Sequence, residues 1–250
     1  MIKEDVKVIV VSKSRRAPRP LSRLSALRRR AAGGQRAQRE EFESIMEIAR
    51  IIARKDPQSL PALIKLIGRS SQARVMNKVL RYEQDAEDCE YEERNALFDP
   101  FAPITPDGRR LDDLKRKVPA PRPLKLGVDL VFPWPWERGR IINSLCELRP
   151  GGAGGEWRQD RNHGIILWLP LGVGWVCGGN HSITAGIIHA RGEVMPEETY
   201  DISRVYKHVV CDGVEYKRVH DGTRIGPVPD LEMAAIFEIG RLIKKHRVGY

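Results

Sequence analysis

Five consecutive residues, Gly178-Gly179-Asn180-His181-Ser182, combine the groups a phosphate site needs. An apolar stretch stops at the two glycines and an apolar helical stretch follows, ending at Gly192. Glycine tolerates a positive φ and lets backbone approach a ligand, while a helix start offers free N–H groups and the positive end of the helix dipole. That combination favours an anion. Asn180 accepts or donates a hydrogen bond, and His181 adds a proton or a second donor near neutral pH. The same five residues also read as a tight strand-to-helix turn in which Asn180 or Ser182 is the N-cap. Both readings stand open on these residues alone.

Other constellations carry less. Asn162-His163 and Asn180-His181 would make two halves of a histidine-based nuclease site, but two Asn-His pairs in 250 residues need little explanation. His181 and His189 lie two helical turns apart without a third ligand, and Cys89, Cys146, Cys177 and Cys211 form no Cys-x-x-Cys pair, so no metal centre is expected. The Gly172-Val173-Gly174 start fails the dinucleotide fingerprint at its third position, Cys177, and no Walker loop is present. The tryptophans Trp134, Trp136, Trp157, Trp168 and Trp175 are concentrated in this part of the chain and suit core or pocket-wall positions better than base stacking.

The elements that must position the turn can be read around it. Val128–Phe132 reads as a strand, Arg138–Leu148 as a helix with Ile141, Ile142, Leu145 and Leu148 apolar, and Gly151–Gly155 as a flexible loop. Ile165–Leu169 and Val173–Cys177 read as strands joined at Pro170-Leu171-Gly172, and Ile183–Ala190 as a helix. Strands alternating with helices predict a small α/β (α+β) unit from about Gly127 to Asp201. Beyond it, Asp212-Gly213 and Asp221-Gly222 suit hairpin turns, and a closing helix is expected from about Asp230.

The strand, turn and helix Trp175-Val-Cys-Gly-Gly-Asn-His-Ser-Ile-Thr-Ala185 resembles the Gly-x-His-Arg-x-x-Ala signature of the ParB/sulfiredoxin-like superfamily, with His181 at the signature His and Ala185 at the small residue. Upstream, Val128-Asp-Leu-Val-Phe-Pro-Trp-Pro-Trp-Glu-Arg-Gly-Arg140 resembles that superfamily's opening strand and Asn-Pro-x-x-x-Arg segment. The resemblance covers about 75 of the 250 residues. It implies a ParB/sulfiredoxin-like domain that binds the phosphate of a nucleotide or nucleic acid at Gly178, Gly179, Asn180 and Ser182. Ser182 stands where the superfamily has Arg, so Arg138 or Arg140 would have to supply charge. Asn180 replaces the reactive Cys of sulfiredoxin, and no Glu-Asn-x-x-Arg motif or helix-turn-helix follows, so neither reductase chemistry nor a CTP-dependent partition switch is implied.

The N-terminal part is organised differently. Residues 1–39 hold 12 Lys/Arg against 2 Asp/Glu, so this arm carries the whole +10 net charge of the chain. Residues 12–39, rich in Arg, Ser, Pro, Ala and Gly, read as a mobile basic arm for nucleic acid or as a solubilising tail, with Leu21, Leu24 and Leu27 leaving room for a short helix. Residues 40–97 read as a helical region. One helix has Phe42, Ile45, Met46, Ala49 and Ile52 on one face and ends at Asp56-Pro57; a second starts near Ser59 and stops at Gly68; a third runs from Ser70 to about Asp85. The acidic run Glu83–Glu93 reads as a solvated helix face. Residues 98–123 read as a proline-rich linker, placing a boundary before a domain at 124–250. No secretory signal or membrane span is legible, which suggests a cytoplasmic protein with no membrane contact.

Two classes of function follow as expectations. The first is a phosphate-binding protein of a mobile element or bacterial chromosome, nearest in kind to plasmid fertility-inhibition proteins, with nuclease, phosphodiesterase or nucleotide hydrolase activity open and His181 as general acid or base. The second is a non-catalytic interaction protein that meets a protein partner through residues 40–97.

Overall fold

Period-two burial in the middle of the chain and period-3.6 burial at its two ends build an α+β fold. The computed structural model describes residues 20–81 and 96–250, with side chains from residue 33. In chain order the helices are α1 Pro20–Lys55, α2 Leu60–Met76, α3 Lys78–Arg81, α4 Leu111–Leu114, α5 Arg138–Glu147, α6 Asn180–Ile188 and α7 Leu231–His246. The strands are β1 Arg116–Lys117, β2 Leu124–Lys125, β3 Leu130–Phe132, β4 Ile165–Leu169, β5 Val173–Val176, β6 Glu193–Val194, β7 Glu198–Asp201, β8 Val209–Cys211, β9 Glu215–Arg218 and β10 Arg224–Pro227. None of the described helices is long and apolar enough to cross a membrane.

The main sheet has the order β1-β7-β4-β5-β3. β4 and β5 form an antiparallel hairpin, while β3 lies parallel to β5 and β7 parallel to β4. Alternate residues feed two cores. Leu130, Phe132, Trp168 and Trp175 join Phe42, Leu60, Ile64, Ile236 and Phe237 of the long helices, whereas Val131, Ile165 and Leu167 join Ile183 and Ile187 of α6. The sheet is thus covered on both faces, and α6 is held at the C-terminal end of β5. A three-stranded meander, β8-β9-β10, precedes α7. Asp230 caps α7 by accepting the Met233 N–H at 2.8 Å.

Packing divides the chain into residues 1–37 and residues 38–250. The expected mobile arm over 12–39 is helical from Pro20, because Ala, Leu and Arg are strong helix formers; residues 1–19 lie outside the described residues. Within 38–250 the prolines at 119–123 do not mark a break. Phe42, Met46 and Leu63 share one core with Tyr216 and Phe237, so residues 40–76 and the expected domain at 124–250 are parts of a single packed body. The expected linker at 98–123 is itself folded in: Ile104, Leu111 and Leu114 are buried, and β1 pairs with β7. Proline there stiffens the chain path without separating cores.

Gly68 does not terminate the second helix. α2 continues through it to Met76, because a Cβ at Gly68 would stand 2.3 Å from Leu130 Cδ2: the glycine lets α2 lie close on β3. The expected third helix is consequently the second half of α2 followed by the short α3, and both its remainder to Asp85 and the acidic run Glu83–Glu93 lie outside the described residues.

Candidate functional site

β5 delivers the chain to Cys177 and Gly178, and Gly179 turns it at φ +73° into α6. The left-handed φ favours glycine, and both glycines also make room for a neighbouring loop. A Cβ on Gly178 would lie 2.5 Å from the Asn162 carbonyl oxygen, and one on Gly179 would lie 2.4 Å from His163 Cδ2. The small residues admit the 162–164 loop against the turn. We therefore expect Gly179→Ala to cost about 1–3 kcal/mol through strain and displacement of the His163 ring. A melting temperature unchanged from wild type would contradict this.

α6 begins at Asn180, three residues before the expected start at Ile183, with Gly179 as N-cap, so Asn180 and Ser182 are first-turn residues rather than caps. The buried Asn180 accepts the Trp134 N–H through Oδ1 at 2.7 Å and so fastens the loop between β3 and α5. His181, the next residue, does the same, its Nε2 accepting the Glu137 N–H at 3.1 Å. Trp136 meets its ring edge-on at 4.6 Å. Burial first, then the charge on Arg140, hold His181 below its ordinary pKa against the pull of Glu137. The ring is therefore neutral at neutral pH, with Nε2 an acceptor and the proton on Nδ1. The expected general acid or base is thus a neutral ring whose basic nitrogen is already used, and its remaining polar function is donation from Nδ1.

The two arginines part company. Arg140 lines a cleft of ≈ 430 Å³ together with the first turn of α6. Its Nε is held 2.6 Å from Glu137 Oε2, which orients the guanidinium one turn into α5. Arg138 is not among the lining residues: it reaches the carbonyls of Val79 and Leu80 at 3.3 Å and ties α5 to the end of α3. The other wall is α5, with Asn143 and Ser144, and Asn162 reaches in from the loop before β4; among the described residues that line the cleft, Glu147 is the only carboxylate. His189 sits away from the cleft and contacts the Leu145 carbonyl at 3.1 Å, locking α6 to α5.

His163 was legible as a residue but not as a neighbour of Ser182. Its Nε2 lies 2.6 Å from Ser182 Oγ, and its Nδ1 lies 2.9 Å from both the backbone N and Oδ1 of Asp160. Trp157 supports the pair from beneath, its indole N–H donating to the Ser182 carbonyl at 2.8 Å and its ring 4.7 Å from that of His163. The signal available in the sequence was the spacing Asp160-x-x-His163, which closes a turn through His163 N–H to Asp160 C=O at 3.1 Å. Nothing in the sequence pairs that turn with a serine 19 residues on.

A family model described as "Family of unknown function (DUF6710)" matches residues 28–249. No curated protein and no solved structure matches the chain.

Proposed function

The chain belongs to this family of unknown function, and we propose from the geometry of the cleft that it binds the phosphate of a nucleotide or nucleic acid on the first turn of α6. One observation carries the reading: that turn and Arg140 line the same cleft. The first bond of the α6 ladder is Ile183 N–H to Gly179 C=O at 2.9 Å, so the amides of Asn180, His181 and Ser182 precede it and have no intrahelical acceptor. Together with the helix dipole they present partial positive charge to an anion. The Nδ1–H of His181 adds a donor, and the cleft falls within the range of about 300–1,000 Å³ that small-molecule sites occupy. The ParB/sulfiredoxin-like resemblance supports the same ligand class, since its two pieces meet here: β3 runs parallel to β5, and α5 packs on α6.

Titration of AMP, ATP and short oligonucleotides against wild type and Arg140→Ala tests the reading. A hydrogen bond to a charged group contributes about 1.5–3 kcal/mol, so the variant should bind about 10- to 100-fold more weakly while melting normally. Equal affinity in the two proteins would remove the cleft from the binding. Deleting residues 1–37 separates the two sources of phosphate. Eleven Lys/Arg stand in residues 1–37, and a nucleic-acid ligand would lose affinity and salt dependence with them, whereas a mononucleotide would not.

A further inference from the structure

Phosphate binding leaves three side chains at the edge of the cleft without a role: Ser182 Oγ, the His163 ring and the Asp160 carboxylate. They stand in sequence, with Ser182 Oγ 2.6 Å from His163 Nε2 and His163 Nδ1 2.9 Å from Asp160 Oδ1. Ser182 lines the cleft and is half-buried, while His163 is only 7% exposed. Four neighbours hold the arrangement. Gly178 and Gly179 make room for the 162–163 backbone and ring, Trp157 holds both the ring and the serine carbonyl, and Asn162 N–H fixes the Asp160 carboxylate through Oδ1 at 2.7 Å.

Two proton arrangements are open to these atoms, and the hydrogen bond from the Asp160 N–H to His163 Nδ1 belongs to the first. In one, His163 Nδ1 accepts the Asp160 N–H, Nε2–H donates to Ser182 Oγ, and the serine hydroxyl donates to the Gly179 carbonyl at 3.0 Å. In the other, which the ring reaches by giving up the Asp160 N–H at Nδ1, Nδ1–H donates to Asp160 Oδ1 and Nε2 accepts the serine proton. The second is the polarity of an activated serine, with the ring oriented by a carboxylate. The shorter contact from Oγ is the one to Nε2, and the nearby carboxylate stabilises the ring once it takes up a proton. Burial holds the His163 pKa below its ordinary value despite Asp160, so the base is unprotonated at neutral pH.

We propose that Ser182 is a nucleophile, His163 its general base and Asp160 the positioning residue for His163, in the hydrolysis of a phosphate ester seated on the first turn of α6. The substrate class rests on the phosphate reading of the cleft. Ser182 Oγ attacks phosphorus as its proton passes to His163 Nε2, and the Oγ–P bond forms as the ester P–O bond breaks. The leaving oxygen takes the proton from Nε2. Water then attacks phosphorus and gives a proton to Nε2, the Oγ–P bond breaks, and Ser182 Oγ recovers that proton. The net change is ester plus water to phosphate plus alcohol, with no further reactant. The α6 amides and Arg140 face the charge that builds on the non-bridging oxygens.

A fluorophosphonate probe, itself a phosphoryl electrophile, applied to the full chain tests this directly, with the adduct mapped by mass spectrometry. The expected result is one equivalent on Ser182, none in Ser182→Ala, and labelling about 100-fold slower in His163→Gln. Should His163→Gln melt below the assay temperature, Asp160→Asn serves instead, because Asp160 is exposed. That variant should label more slowly and reach half its maximal rate at a different pH, which a purely structural turn would not do. An unlabelled Ser182 in wild type, or an Asp160→Asn protein with the wild-type rate and pH profile, overturns the relay. Saturating AMP should slow the labelling. If Ser182 labels equally fast with AMP present, the phosphate cleft is wrong and the ester is of another class, even though the nucleophile stands.

Discussion

A fragment carrying residues 124–250 alone is expected to remain unfolded or to aggregate, although the prolines before it suggest a domain boundary. α1 and α2 contribute Phe42, Met46, Leu60, Leu63, Ile64 and Val75 to the core that contains Leu130, Trp175, Tyr216 and Phe237. Burying one large apolar side chain contributes about 1.5–3 kcal/mol, and a whole domain has only about 5–15 kcal/mol to lose. Removing six such contributions and exposing their counterparts exceeds that margin. Circular dichroism melts of the fragment and of residues 38–250 check the point: the longer chain should melt cooperatively, and a cooperative melt in the shorter one would show that α1 and α2 are dispensable.

Replacement of Asp129 is expected to produce the largest loss from a single side chain. Its carboxylate, 1% exposed, receives Arg122 through two bonds at 2.7 and 2.9 Å, Lys65 at 3.0 Å and the Lys125 N–H at 2.8 Å. Burial pushes the acid upward, but Arg122, the Lys125 amide and Lys65 together outweigh it and hold the pKa at about 2. Asp129→Ala strands two half-buried cations and an amide, a loss of about 3 kcal/mol and at the lower end for a broken buried pair, because both cations can regain water. The sign of the pH dependence follows. A depressed carboxylate contributes fully above its unfolded pKa of about 4, and that contribution is lost as the pH falls from there toward 2. Denaturant midpoints across this window should fall steeply for wild type and less steeply for Asp129→Ala; parallel curves would show that the carboxylate is not coupled to folding.

Much of the central α/β order was legible because its signals are local. β4, β5, α5, α6 and α7 follow apolar periodicity bounded by glycine, proline or an Asp cap, and the structure places them within a few residues of the expected spans. β7, Glu198–Asp201, was missed: its polar sequence shows no apolar alternation, and its place between β4 and β1 is set by partners far away in the chain. The boundary at residue 124 failed for a related reason. Proline reports local stiffness, whereas a core is a property of faces that meet across the sequence. Gly68 was misread for want of its neighbour, Leu130.

The site divides the same way. Gly179–Ser182 and Arg140, which line one cleft, could be singled out by residue type and by the helix that follows. Arg138 was not separable from Arg140 by type, since only the direction of the side chain on α5 sends it to Val79 and Leu80. His163 stayed apart from Ser182 because a 19-residue interval, spanning β4 and β5, has to fold before they touch. The glycines could be singled out, but the close approach of the His163 loop to them could not.

The most direct test of the account is a titration of AMP into the ¹⁵N-labelled full chain, following the backbone amides by NMR. Phosphate on the first turn of α6 should shift the Asn180, His181 and Ser182 amides most, together with the Arg140 side-chain Nε, and in Arg140→Ala the same shifts should need about 10- to 100-fold more AMP. Saturating AMP that leaves these amides in place, or that moves a different part of the chain, would contradict phosphate binding at this cleft.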